Sequence, residues 1–257
     1  MTSDTTVHRV GLIVPSSNTT METEVPELLR RRSELRGELF TFHSSRVRMQ
    51  HVTKEELTRM VCDSDRCALE LSDARVDVIA YACLVAIMSQ GNGFHVQSEQ
   101  RLAEIAAANG GPAPVVSSAG ALVRGIHALG ATRVAIVTPY MKPLTALVVE
   151  YLRDAGIEVV DSISLEIQNN LDVAAHDPAL LPAIARRLDI GAAEAVVLSA
   201  CVQMRSLPAI AETEQTLGLP VLSAAVATAY EVLDRLGIDP VVPGAGALLS
   251  GRRLATA

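Results

Sequence analysis

The chain contains no tryptophan, and aromatic residues make up only 3% of its 257 positions. A core without large rings must be filled by Ala, Val, Leu and Ile, the filling of parallel strands between alanine-rich helices. Basic residues are also scarce. Lys and Arg number 22 against 29 Asp and Glu, a net charge of −7, and no basic block exceeds Arg30-Arg31-Arg32. That balance argues against a nucleic-acid or anionic-membrane partner. Every long apolar run is broken by Asp, Pro or Gly before it reaches the length of about twenty residues that spans a bilayer. Met1-Thr2-Ser3-Asp4-Thr5-Thr6 has no basic stretch followed by an apolar one, so no secretory leader is expected. Cysteine is limited to Cys62, Cys67, Cys83 and Cys201, with no disulfide framework, and a reduced cytoplasmic setting is expected. The six histidines are scattered. Gly-x-Gly-x-x-Gly, Gly-x-x-x-x-Gly-Lys and His-x-x-Glu-His patterns are all missing, so neither a metal nor an organic cofactor is expected.

What is present is an alternation of two periodicities. Strand signals fall at 10–14, 38–42 with 46–49, 77–83, 115–116, 134–137, 157–160, 195–201 and 221–222. Helical signals fall after Thr19 and Thr20, and at 54–74, 98–108, 119–129, 143–155, 178–188, 207–217 and 225–236. The Gly91-Asn92-Gly93 breaker predicts a loop after Cys83, with Gly91 to His95 readable as a closing lid or as plain surface. Such alternation predicts βαβ crossovers and parallel sheets, whose ligands bind beyond the carboxyl ends of the strands.

The chain also repeats itself. Arg9-Val10-Gly11-Leu12-Ile13-Val14-Pro15 returns as Arg133-Val134-Ala135-Ile136-Val137-Thr138-Pro139. Asp77-Val78-Ile79-Ala80-Tyr81-Ala82-Cys83 returns as Ala195-Val196-Val197-Leu198-Ser199-Ala200-Cys201. Pro114-Val115-Val116-Ser117 returns as Pro220-Val221-Leu222-Ser223. Three matches in one order predict an α/β protein of two pseudo-symmetric Rossmann-like lobes with parallel sheets. The lobes are placed at 1–125 and 126–257, with a C-terminal segment able to cross over.

Cys83 and Cys201 therefore end equivalent strands and face the crevice between the lobes. There, nearby N–H donors favour a thiolate. Buried cysteine is otherwise a small hydrophobe, the reading taken for Cys62 and Cys67 within the 54–74 helix. Pro15-Ser16-Ser17-Asn18-Thr19-Thr20 joins strand to helix with neutral hydrogen-bonding groups, suited to capping the helix or to holding an anion. Both readings stand at this stage.

Gly11-Leu12-Ile13-Val14-Pro15-Ser16-Ser17-Asn18, Tyr81-Ala82-Cys83-Leu84-Val85-Ala86, Pro139-Tyr140-Met141-Lys142-Pro143 and Ser199-Ala200-Cys201-Val202-Gln203-Met204 resemble the maleate cis-trans isomerase family of the Asp/Glu racemase superfamily. The resemblance implies an Asp/Glu racemase-like fold and a site formed by Asn18, Cys83, Cys201, Tyr140 and Asn170, with Asn169 adjacent as the alternative to Asn170. Main-chain N–H groups of Leu84, Val85, Val202 and Gln203 would help hold the substrate. It further implies a small dicarboxylate substrate, covalent addition of Cys83, proton transfer by Cys201, no cofactor, and a homodimer. As nucleophile, Cys83 is the expected first site of alkylation. Arg205 is expected to face solvent. The rival readings are a two-cysteine amino-acid or hydantoin racemase of the same superfamily and a non-catalytic small-acid binding protein.

Overall fold

Val, Ile, Leu and Ala dominate the central strands because β-branched and small apolar side chains fit a pleated surface covered on both faces. The computed structural model describes residues 6–251; the stretch 1–5, read above for a leader, lies outside them. β1 (Val7–Pro15) pairs with β2 (Leu39–Val47) on one side and β3 (Val78–Tyr81) on the other, and β4 (Val115–Ser117) lies beyond β3. The second sheet repeats this plan with β5 (Arg133–Thr138), β6 (Glu158–Ser164), β7 (Ala195–Ser199) and β8 (Val221–Ser223), in the order β6-β5-β7-β8. Every pairing within the two sheets is parallel. All residues of β3 and β7 are buried, whereas the edge strands β2 and β6 are half exposed.

In each sheet the chain leaves the first strand in one direction and returns on its other side. The crevice of such a sheet opens at that reversal, beyond the carboxyl ends of the two inner strands. Pro15 and Cys83 stand there in the first sheet, Tyr140 and Cys201 in the second.

The helices are α1 (Met21–Arg36), α2 (Lys54–Asp73), α3 (Leu84–Met88), α4 (Phe94–Ala108), α5 (Ser118–Ala128), α6 (Lys142–Asp154), α7 (Asn170–Ala175), α8 (Leu181–Ala185), α9 (Ile210–Leu217) and α10 (Ala224–Arg235). α10 follows β8 but packs against α5 and α1 and reaches β3 and β4, which ties the two sheets together. Gly125 permits the α5–α10 approach, because a Cβ there would lie 3.2 Å from the Ala227 Cβ. No described helix is long and apolar enough to cross a membrane.

The 38–42 and 46–49 segments form the second strand as expected, β2, continuous between them because the whole edge ladders onto β1 from Val7↔Leu39 to Pro15↔Val47, polar side chains included. Several other expectations need correction. The segment after Cys83 is a helix, α3, rather than a loop; all five of its residues are buried, so tertiary burial overrides the local breaker. The 178–188 helix is split into a 3-10 turn (Pro178–Leu180) and α8, where Pro182 occupies the first turn. The 207–217 helix likewise opens as a 3-10 turn (Leu207–Ala209) before α9. Gly91 to Gly93 is the turn between α3 and α4, and His95 is buried against α6, with Nδ1 2.6 Å from the Tyr151 hydroxyl. His95 thus joins α4 to α6, while Gly91 and Asn92 are exposed at the turn, as the plain-surface reading has it.

Cys62 corrects the packing reading as well. The buried face of α2 runs through Leu57, Met60, Val61, Ser64, Cys67, Ala68 and Leu71. A spacing of five residues turns about 140° around a helix, so Cys62 cannot share the face of Cys67. Cys67 is buried and Cys62 is exposed.

Candidate active site

The turn after β1 is built by its own side chains. Asn18 donates its N–H to the Pro15 carbonyl at 2.9 Å, and its Oδ1 accepts the N–H groups of Thr20 and Met21, both at 2.9 Å. The capping reading of this turn thus holds for the oxygen end of Asn18. The Nδ2 end makes no hydrogen bond among the described residues, and the side chain is buried at the cleft wall. A neighbouring hydroxyl, Ser16 Oγ, accepts the Met49 N–H at 3.0 Å and donates to the Met49 carbonyl at 3.2 Å. This pins the β2–α2 loop, with Met49 and Val52, over the cleft.

Cys83 follows β3 in the left-handed region, φ 79° and ψ 73°. A side-chain-bearing residue held there costs on the order of 1–3 kcal/mol, and such strain is maintained where the surroundings over-determine it. Cys83 Sγ lies 4.0 Å from Met49 Sδ. Burial pushes the thiol up to about 12; the nearness of Cys201 adds to this, and the Ala86 N–H opposes it.

Cys201 follows β7 in a turn closed by the Met204 N–H on the Cys201 carbonyl at 3.2 Å, with Ser199 Oγ donating to the same carbonyl at 2.9 Å. Burial raises its pKa too. Three donors pull in the other direction, the Tyr140 hydroxyl and the N–H groups of Gln203 and Met204. The two thiols are therefore unequal: both are held neutral by burial, but Cys201 has the better-furnished shell for a thiolate. Tyr140, at the end of β5, donates to the Ala200 carbonyl at 3.2 Å. Burial, then Cys201 and Cys83, drive its pKa upward, so its hydroxyl stays protonated and available as a donor.

Asn170 opens α7 and donates Nδ2 to Ser17 Oγ at 2.8 Å. Asn169 is exposed and caps α7 through the Leu171 N–H at 2.9 Å. Geometry separates the two asparagines: Asn170 faces the cleft and Asn169 does not. Gln203 spends its side chain on the lobe junction, accepting the Thr19 N–H at 2.9 Å and donating to the Ser17 and Asn170 carbonyls at 3.0 and 2.8 Å.

One cleft of about 310 Å³, its open mouth included, brings together Asn18, Cys83, Leu84, Val85, Tyr140, Asn170, Cys201, Val202 and Gln203. Pro15, Met49 and Val52 complete the wall. Sequence reasoning missed Met49 and Val52; the only signal was their place between the second strand and the next helix. Among the described residues, no charged side chain lines the cleft, and Arg205 is exposed. Among the described residues, no three His, Cys, Asp or Glu side chains are grouped to hold a metal ion.

Two parallel four-stranded sheets with a two-thiol cleft at their crevices define the Asp/Glu racemase-like class of α/β protein. The arylmalonate decarboxylase family model matches residues 10–249. A maleate isomerase from Geobacillus stearothermophilus is 62% identical over 95% of this chain and 98% of its own length. The crystal structure of a cysteine-to-alanine variant of the Pseudomonas putida S16 maleate isomerase, solved with maleate, superposes with a TM-score of 0.95 at 60% identity, covering 97% of this chain and 100% of that one. A cysteine-to-serine variant of the Nocardia farcinica maleate cis-trans isomerase, carrying a covalently bound succinylcysteine intermediate, gives 0.92 at 48% identity over 96% and 100%. The chain belongs to the maleate isomerase family.

Proposed function

We propose that the protein isomerises maleate to fumarate without a cofactor, with Cys83 as nucleophile and Cys201 as proton carrier. The observation that carries this reading is a cleft with a buried thiol after a central strand of each sheet and, among the described residues, no charged side chain in its wall. Cys83, having lost its proton to water, adds as thiolate to one alkene carbon of maleate. The carbon–sulfur bond forms as the π bond breaks, and the electron pair moves onto the other alkene carbon and its carboxylate. Cys201 gives its thiol proton to that carbon, leaving a succinyl-cysteine whose former double bond is single and turns. The Cys201 thiolate then takes the proton back, the carbon–sulfur bond breaks, and the double bond re-forms trans with both cysteines restored. Covalent catalysis in this way replaces one prohibitive rotation by a series of lower barriers.

Neutral donors suit this motion. Asn18 Nδ2, the Tyr140 hydroxyl, Asn170 and the N–H groups of Leu84, Val85 and Val202 hold carboxylates by single hydrogen bonds, which let a carboxylate swing. A bidentate guanidinium fork would resist the turn. The lobes are taken as 1–125 and 126–257, and the working form as a homodimer in the reducing cytoplasm with neither nucleic acid nor membrane as partner.

A proton NMR time course tests the reaction. Maleate should convert to fumarate without loss of mass or release of carbon dioxide, at a rate unchanged by dialysis against chelator. Untouched maleate, together with solvent deuterium entering the α-carbon of aspartate, glutamate or a hydantoin, would make the protein a racemase instead.

A further inference from the structure

The turn that follows the second thiol is fastened from across the cleft by α1 and the residues before it. Glu24 sits on α1 and is only 5% exposed. Its Oε1 accepts the N–H groups of Ser206 and Leu207, both at 2.7 Å, and its Oε2 receives the Ser206 hydroxyl at 3.4 Å. Ser206 and Leu207 end the turn that begins at Cys201. The same turn is fastened at its middle, where Thr20 Oγ1 donates to the Gln203 carbonyl at 2.8 Å and the Thr19 N–H donates to Gln203 Oε1. Within this fastened turn are the N–H groups of Gln203 and Met204, which favour the Cys201 thiolate; in the neutral state the Met204 N–H is held by the Cys201 carbonyl at 3.2 Å.

The geometry points to Glu24 as a positioning residue of the isomerisation, one that holds the 201–206 turn so that its N–H groups meet the Cys201 thiolate formed when the succinyl adduct is protonated. The inference rests on the reaction proposed above. It touches no substrate and acts only through the turn.

The cost of a buried carboxylate indicates what the contact is for. Burial pushes Glu24 upward in pKa, against the pull of the Leu207 and Ser206 N–H groups, the Ser206 hydroxyl and Arg205. An apolar residue would pack α1 without that penalty, but it would leave two main-chain donors unpaired and free the end of the turn. With the turn loosened, the Cys201 thiolate in the adduct state loses its donors and captures a proton from water. The neutral thiol is unable to withdraw the proton from the succinyl group, so turnover stalls with maleate still bonded to Cys83.

The test compares Glu24→Ala with Arg32→Gln in the full-length chain. Arg32 is an equally buried lobe-to-lobe clasp on α1, pairing with Glu38 at 2.7 Å and donating to the Asp239 carbonyl at 2.8 Å, but it lies away from the Cys201 turn. Under steady turnover with maleate, acid quench and intact-mass measurement give the fraction of chains carrying one maleate. Glu24→Ala should lower kcat tenfold or more, leave KM within about twofold, and raise the adduct fraction severalfold. Arg32→Gln should lower Tm without changing the adduct fraction. If Glu24→Ala does not fold, Glu24→Gln keeps the shape and one acceptor oxygen and should show the same pattern more weakly. An adduct fraction at the wild-type level in the Glu24 variants, or an equal rise in Arg32→Gln, overturns the assignment. Failure of the wild-type protein to convert maleate would instead overturn the reaction itself.

Discussion

The Tyr140 hydroxyl donates to the Ala200 carbonyl at 3.2 Å, one residue before Cys201, and it has a single proton to give. The hydroxyl is also one of the groups that favour the Cys201 thiolate. In the proposed reaction the hydroxyl would turn from the carbonyl to the sulfur once Cys201 has given up its proton. The contact links β5 to the end of β7, whereas Thr19, Thr20 and Glu24 hold the same turn from across the cleft.

Replacing Tyr140 by Phe removes that alternation while keeping the ring. A hydrogen bond to a charged group contributes about 1.5–3 kcal/mol, so kcat should fall roughly tenfold to a hundredfold. Tm should change little, since the ring still packs. Steady-state kinetics on Tyr140→Phe check this, and wild-type kcat would remove Tyr140 from the proton-transfer step.

The four cysteines should sort by position. Cys83→Ala should lose essentially all turnover while retaining the fold, and Cys201→Ser should bind maleate yet accumulate the adduct on Cys83. Cys62→Ala and Cys67→Ala should stay active. The expected order of alkylation changes now that Cys62 is known to be exposed and Cys83 buried. Iodoacetamide should mark Cys62 first with activity retained, and inactivation should follow later labelling of Cys83, slowed by a dicarboxylate competitor. Peptide mass spectrometry against residual activity decides; activity lost in step with Cys62 labelling contradicts the assignment.

Buried thiols also set a pH dependence of stability. Cys83 is raised from 9.0 to about 12, and Cys201 and Cys67 are raised by burial as well. Below pH 8 these thiols are protonated in both folded and unfolded chains. Above pH 9 the unfolded chain ionises them while the folded chain keeps its protons, so the folded state binds more protons and stability falls as pH rises. The loss should be on the order of 1 kcal/mol per pH unit for each fully buried thiol. Urea midpoints at pH 8, 9 and 10 should decline, and Cys83→Ala should flatten the decline. A midpoint independent of pH in this range contradicts the burial argument.

The adjacent asparagines provide a matched pair. Asn170→Ala should raise KM at least severalfold, because it removes a cleft donor and frees the Ser17 hydroxyl. Asn169→Ala should lose only a helix cap of about 1 kcal/mol, visible in Tm, with KM unchanged. The reverse result would move the substrate contact to Asn169.

Much of this architecture is written locally. The runs ending in Pro15, Cys83, Pro139 and Cys201 are apolar and repeat in order, and a strand buried on both faces needs no information beyond such a run. The parallel alternation follows from the same pattern, as does the placing of both thiols at strand ends. Asn18, Tyr140 and Asn170 were legible as cleft residues only through the family resemblance of the motifs that carry them, not from strand pattern alone.

Contacts made by unrelated segments were decided only in three dimensions. Met49 and Val52 reach the cleft because Ser16 grips the β2–α2 loop across 33 residues. Leu84 to Met88 coil into a helix because both lobes bury them, although a Gly-Asn-Gly breaker follows. Cys62 and Cys67 part company because helix rotation, not chain distance, assigns burial. Glu24 looks like any first-turn acid that favours a helix N-terminus; its carboxylate is claimed by Ser206 and Leu207, some 180 residues away. Period and composition report what a segment does with its neighbours in sequence. Which distant donor a buried carboxylate must satisfy is set by the packing of one lobe on the other, and no local pattern encodes it.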